Sequence, residues 1–137
     1  MLSPAPDRVL QVPAPIREAI IRHAEMCFPN EACGLIAVDR AGKLTMAYPL
    51  SNAERSPVRF TIAPEEHFGA LRHAESRGWE IGGVFHSHPD GGAVPSAVDL
   101  AQPHDPDWFH LLVGFQPRLE VRAWWISDGA TVEIATA

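Results

Sequence analysis

The stretch FHSHPDGGAVPSAVD, residues 85 to 99, sets two histidines, a proline, a Gly-Gly pair, a serine and an aspartate within one short span. Its local grammar is that of a strand end, a sharp reversal and a helix start. The residues before it, WEIGGVF, are apolar and strand-like, and Pro89 ends the strand. Gly91 and Gly92 permit the reversal, and Ser96 is a natural N-cap for a short helix AVDLAQ. In a strand, residues two apart share a face, so His86 and His88 can reach one ion. At a helix start, residues three apart lie one turn apart, so Ser96 and Asp99 share a face. Two imidazoles and one carboxylate are a three-ligand set suited to Zn²⁺ with a fourth position open to water. Taken singly, each residue has a plainer reading. A His-x-His is commonly structural, Ser96 is a cap, and Asp99 is an acid favoured at a helix N-terminus.

Working outward, strands and helices interleave on both sides. Val9–Val12 reads as a short strand. From Pro15, the residues Ile16, Ala19, Ile20, His23 and Cys27 recur at helical spacing, and Pro29 and Asn30 stop the helix. Cys33–Asp39 is a buried strand, joined by a turn at RAG to the strand KLTMAYPL. SNAERSP is a loop and VRFTI a further strand. PEEHFGALRHAESRG is a helix, with Pro64 at its start, acids in its first turn and Gly78 at its end. After the motif, WFHLLVGF, LEVRAWWIS and TVEIAT are three more strands. The pattern predicts an α/β (or α+β) fold: one domain over residues 1–137, a mixed β-sheet with helices packed on it, and residues 1–7 ragged.

Composition narrows the function. The 137 residues carry 11 Lys and Arg against 17 Asp and Glu, a net charge of −6, with no local basic run. That balance speaks against nucleic acid, whose phosphates reward basic patches. Segments such as LLVGF and AWWI are too short to span a bilayer, and the first sixteen residues lack the features of a secretory leader. Cys27 and Cys33, the two cysteines, are too few for a disulfide framework. A cytoplasmic protein that meets no membrane is expected. Zinc hydrolysis would also require a general base. Glu31 is the best placed acid, because a carboxylate about to enter a buried strand is costly without a partner. As a lone residue it would be an ordinary loop acid.

EACGLI (residues 31–36) followed by HSHPDGGAVPSAVD resembles the JAMM motif of the MPN+ (Mov34/MPN/PAD-1) metalloproteases. That motif is a Glu, then much later His-Ser/Thr-His-Pro, six residues, Ser, two residues and Asp. The likeness runs from about residue 8 to the C-terminus and implies the JAMM/MPN (cytidine-deaminase-like) fold. It implies that His86, His88 and Asp99 bind one catalytic Zn²⁺. By the same likeness Glu31 is the acid/base and Ser96 donates a hydrogen bond to the oxyanion. Ser87, on the other strand face, is structural or supports the ligands.

The segment after Asp99 reads as core strands, with no room for the long insertion of ubiquitin-chain-cleaving members. NEACGLI, SNAERSP and SDGATVE resemble the CysO-cysteine peptidase (Mec+) group. The resemblance implies a partner that is a small ubiquitin-like sulfur-carrier protein ending in Gly-Gly. The bond cut would be an amide at that end, releasing cysteine or a short Cys-containing tail in cysteine or sulfur-metabolite biosynthesis. An extended tail would add beside a sheet edge near SNAERSPVRF and the loop Gly91–Val94. Gly92 would lie against it, and Arg55 and Arg59 would meet its carbonyls or a terminal carboxylate, or else form surface ion pairs. His104 and His110 are read as structural.

Three alternatives remain at this point. The chain could remove a different tail or cleave other ubiquitin-like conjugates, or it could be a non-catalytic MPN scaffold subunit. A zinc nucleoside deaminase requires His-x-Glu together with Pro-Cys-x-x-Cys; neither His86 nor His88 is followed by Glu at that spacing, and no Pro-Cys-x-x-Cys occurs. No His-Glu-x-x-His occurs either.

Overall fold

The computed structural model describes residues 9–137, and the expectation of a ragged segment at 1–7 falls outside them. In chain order the elements are β1 (Val9–Leu10), α1 (Ala14–Cys27), β2 (Cys33–Val38), β3 (Leu44–Leu50), α2 (Pro64–Ser76), β4 (Glu80–His88), α3 (Ala97–Ala101), β5 (Phe109–Gly114), β6 (Glu120–Ser127) and β7 (Ala130–Thr136). The strands form one seven-stranded mixed sheet in the order β1-β7-β6-β5-β4-β2-β3. β4 and β5 are parallel, as are β1 and β7, and the other neighbours are antiparallel. Among the described residues no helix is long and apolar enough to cross a membrane.

Strand alternation divides the interior into layers. Ile36 and Val38 of β2 join Phe85, Phe109, Leu111, Val113 and Trp125 under α1, which buries Ile16, Ile20 and Ala24 there. The intervening residues Leu35 and Ala37 face the opposite way, with Val84, against Ala70 and Ala74 of α2. α2 carries Pro at its start, Glu65 and Glu66 in its first turn and Gly78 just beyond its end. Gly78 has φ +77°, and the N–H groups of Gly78 and Trp79 close the helix on the Glu75 and Ala74 carbonyls. The turn between β2 and β3 is held by Asp39, whose Oδ1 accepts from the N–H groups of Ala41 and Lys43.

One expected strand is absent. VRFTI (58–62) forms no strand, and only an isolated bridge joins Ile62 to Asn52. The reason is the Asn52 side chain. Its oxygen accepts from the N–H groups of Glu54 and Thr61, and its amide donates to the carbonyls of Glu31 and Arg59. A side-chain amide thus satisfies backbone groups that a ladder would otherwise pair. The result is a compact loop, residues 51–63, folded against the N-terminal end of β2.

Close packing at Gly34 holds β2 between β3 and β4. A Cβ there would lie 2.1 Å from the Tyr48 carbonyl oxygen and 2.2 Å from the Phe85 ring. We expect Gly34→Val to destabilise the fold by about 3 kcal/mol, as overpacked cores do. Chemical denaturation measures this, and an unchanged midpoint would show that the strands can separate at no cost.

Candidate metal centre

The site begins with register. β2 and β4 pair antiparallel with Cys33 opposite His86. Just beyond the last paired residue of β2, Ala32 and Ser87 clasp each other. The Ser87 N–H donates to the Ala32 carbonyl at 3.1 Å, and the Ala32 N–H donates to Ser87 Oγ at 2.8 Å. Continuing that register sets Glu31 opposite His88, on the face that carries both histidines. The 51–63 loop pins the same residue from outside. The Glu31 N–H donates to the Ser56 carbonyl at 2.8 Å, and the Asn52 amide donates to the Glu31 carbonyl at 3.2 Å.

Asp99 arrives from α3. Ser96 caps that helix by accepting the Asp99 N–H at 3.1 Å, while Asp99 Oδ2 accepts the Ser96 N–H at 2.8 Å. The intervening loop is fastened to the sheet by the Phe115 and Gln116 N–H groups on the Gly91 carbonyl and by Trp124 Nε1 on the Ala93 carbonyl. His104 Nε2 meets the Asp99 carbonyl. These contacts carry the Asp99 carboxylate to the histidines. His86 Nε2 lies 3.2 Å from His88 Nε2 and 3.2 Å from Asp99 Oδ1, and His88 Nε2 lies 3.0 Å from Asp99 Oδ2. All three side chains are buried or nearly so.

This donor set fits a metal ion. Ligands about 2.0–2.1 Å from a tetrahedral zinc stand about 3.3 Å from one another, close to the spacings seen. The His88 Nδ1–H donates to the Gly92 carbonyl at 2.9 Å, which turns Nε2 inward, the nitrogen a neutral imidazole would offer to a cation. Two imidazole nitrogens 3.2 Å apart repel unless a proton or a cation stands between them. His86, His88 and Asp99 are the group among the described residues that could hold one.

The electrostatics agree. Burial lowers the His86 imidazole below its ordinary value. Burial also works against a charged His88, but its bonds to Asp99 and Gly92 outweigh this and raise it. At Asp99 burial favours the acid form, yet hydrogen bonds from His86 and His88 prevail and hold it well below the usual carboxylate range. Glu31 is different. Burial pushes its carboxyl up to about 8, against the attraction of His88, and its Oε1 is buried with no hydrogen-bond partner.

Of the residues singled out in the sequence, Glu31, His86, His88, Ser96 and Asp99 come together. An open groove of about 590 Å³ exposes Glu31, His88 and Ser96, with Pro57, Val58 and the Pro89–Gly92 turn along it. Gly92 lines this groove, but Arg55 and Arg59 do not. Arg55 lines a separate hollow beside Asn30, Glu31 and Glu66, and Arg59 lines another beside Asp99. Sequence reasoning passed over Phe60, whose ring stacks on His86 with centroids 4.6 Å apart. In the sequence Phe60 reads as one position of the strand VRFTI, and no periodicity marks a ring that reaches the site from a loop.

The comparisons with known proteins extend over most of the chain. Residues 13–127 match the family model for prokaryotic homologs of the JAB domain. A desampylase of Haloferax volcanii is 34% identical over 121 residues, covering 84% of this chain and 87% of that protein. A CysO-cysteine peptidase of Mycobacterium tuberculosis is 32% identical over 128 residues, covering 91% and 88%. The solution structure of a Desulfitobacterium hafniense protein superposes with a TM-score of 0.85 at 30% identity, over 94% of this chain and 92% of that one.

The clasp between Ala32 and Ser87 can be tested directly. Ser87→Ala leaves the buried Ala32 N–H without a partner, and we expect a loss of about 2 kcal/mol in stability. Zinc affinity, measured by calorimetric titration, should stay near wild type because no ligand atom bonds to Ser87. Equal stability would remove the clasp from the account of the site.

Proposed function

The chain belongs to the JAMM/MPN+ family, within its prokaryotic JAB-domain branch, and from that we propose that it is a zinc metallopeptidase acting on ubiquitin-like protein adducts. The observation that supports this best is that Glu31 and Ser96 line one groove with His88, a member of the His86–His88–Asp99 cluster. In this reading His86, His88 and Asp99 hold one zinc ion, and residues 1–137 form a single domain. Bound there, the ion supplies Lewis acidity toward a water and a scissile carbonyl.

The chain's own residues do the rest. Glu31 takes the water's proton and passes it to the leaving amine. Burial alone pushes this carboxyl up, and beside a cation held by the neighbouring ligands the anionic form that accepts the proton is favoured. The Ser96 hydroxyl oxygen accepts the Asp99 N–H, which leaves its own proton free to donate. That proton is donated to the carbonyl oxygen as it gains charge. Asp99, held well below the usual carboxylate range, remains anionic throughout.

The groove suits a slender chain. The exposed side chains of Val58 and Val94 border it, and the Pro89–Gly92 turn offers backbone along its length. A tail ending in Gly-Gly, without side chains, lies there in extended form beside Gly92. Arg55 and Arg59, on the 51–63 loop, meet the carrier's body or a terminal carboxylate. The partner is a small ubiquitin-like carrier ending in Gly-Gly, and the product is cysteine or a short Cys-containing tail for cysteine or sulfur-metabolite biosynthesis. The free thiols of Cys27 and Cys33 support a cytoplasmic setting. The desampylase relative favours a second reading with the same chemistry, cleavage of ubiquitin-like conjugates on proteins. The intact ligand set speaks against a scaffold that has lost its site.

Glu31→Gln should lower cleavage of a carrier–cysteine adduct by about a thousandfold, within the range of general acid–base catalysis. Zinc content by elemental analysis should not change. A chelator should abolish wild-type cleavage, and added zinc should restore it. Normal cleavage by Glu31→Gln would overturn the role given to Glu31.

A further inference from the structure

His86 and His88 face the same centre but are held there by different means. The His88 ring is fixed by the hydrogen bond from its Nδ1 to the Gly92 carbonyl. A ligating histidine almost always has such a partner, which sets its tautomer and the orientation of its ring. His86 has none. It is 1% exposed, its Nε2 faces His88 and Asp99, and its Nδ1 is buried with no hydrogen-bond partner. The torsion that turns an imidazole about its Cβ–Cγ bond is broad by nature. Something other than a hydrogen bond must therefore fix the plane of this ring.

The group against it is Phe60. The two rings lie 29° from parallel with centroids 4.6 Å apart. Such stacking is favourable beyond the area it buries, and a flat neighbour resists rotation of the imidazole where a flexible aliphatic chain would yield. Phe60 is itself clamped. The Asn52 amide donates to the Arg59 carbonyl at 3.0 Å, and the Asn52 oxygen accepts the Thr61 N–H at 3.1 Å. One side chain thus holds the peptide groups on both sides of Phe60. The Ala53 N–H adds a bond to the Thr61 carbonyl at 2.8 Å. The ring also packs against the apolar layer that contains Leu35 and Val84. The same Asn52 amide donates to the Glu31 carbonyl, so the loop braces a ligand and the acid beside it from one point.

We infer that Phe60 is a positioning residue of the metal centre, and that its ring does for His86 what the Gly92 carbonyl does for His88. The inference rests on the reading of His86, His88 and Asp99 as zinc ligands. Phe60 acts through His86 and not on the reacting atoms.

Two variants separate a flat ring from a space-filling group. Phe60→Leu keeps an apolar side chain without the ring, and Phe60→Tyr keeps the ring. Zinc affinity is measured by competition with a chromophoric chelator, on protein whose circular dichroism matches that of wild type. Phe60→Leu should bind zinc about tenfold more weakly, the low end of what loss of a ligand's supporting partner does. Phe60→Tyr should stay within about twofold of wild type, because the stacked face is kept. Visible absorption of the Co²⁺-substituted proteins reads ligand geometry: the bands should shift in Phe60→Leu and persist in Phe60→Tyr. Wild-type affinity and bands in Phe60→Leu would overturn the role of Phe60 and leave the zinc site standing. Equal losses in both variants would overturn it too. If Phe60→Leu does not fold, nuclear magnetic resonance of the zinc-loaded wild type decides. The carbon-bound ring protons of His86, over the Phe60 face, should lie upfield of those of His88, and equal positions would remove the stack. A wild type that binds no zinc overturns the ligand reading together with this role.

Discussion

The pairing between Ala32 and Ser87 is the constraint on which the centre depends. It joins two points far apart in the chain at the place where β2 ends beside β4. Because side chains alternate along a strand, a slip of one residue would turn Glu31 to the α1 side and leave the histidines without their carboxylate. Bonds on both the N–H and the carbonyl of Ala32 oppose such a slip. Packing at Gly34 resists it too, since any side chain there would collide with Tyr48 and Phe85. The placement of Glu31 beside the histidines is therefore a property of strand register.

A second constraint is electrostatic. The cluster gathers an aspartate and two imidazoles in a space with little water, and Glu31 approaches from the neighbouring strand. Such a group is costly unless a positive charge sits in its midst. The opposite displacements of Asp99 and Glu31 express this. Asp99 touches two imidazoles and stays ionised, while Glu31 has no partner at its buried oxygen and favours its proton. Two carboxylates in one site thus have two chemical characters, decided by what each one touches.

How much of this was legible in the sequence depended on distance along the chain. His86 with His88 and Ser96 with Asp99 are local pairs, and strand and helix periodicity place each pair on one face. The layer under α1 was legible in part, through the buried run of β2 and the spacing of Ile16 and Ile20, while Ala24 as the third buried position emerges only in the structure. Glu31 could be nominated by its position before a buried strand, but its arrival opposite His88 is a matter of long-range register. The 51–63 loop was not legible. Its conformation follows from one asparagine bonding to several backbone groups, a contest between side chain and ladder that propensity does not score. Phe60, Arg55 and Arg59 all ride on that loop, so their destinations, one hollow for Phe60 and Arg59 and another for Arg55, were hidden with it.

The helix cap at α3 has a consequence of its own. Asp99 Oδ2 accepts the Ser96 N–H and at the same time faces His88 Nε2. One oxygen thus belongs both to the start of a five-residue helix and to the ion-binding group. A helix that short is unstable by itself. Its cohesion and the affinity for the cation are accordingly linked, and each strengthens the other by the same amount. The ordering entropy of the aspartate is met during folding, so capture of the ion proceeds against a rigid receptor.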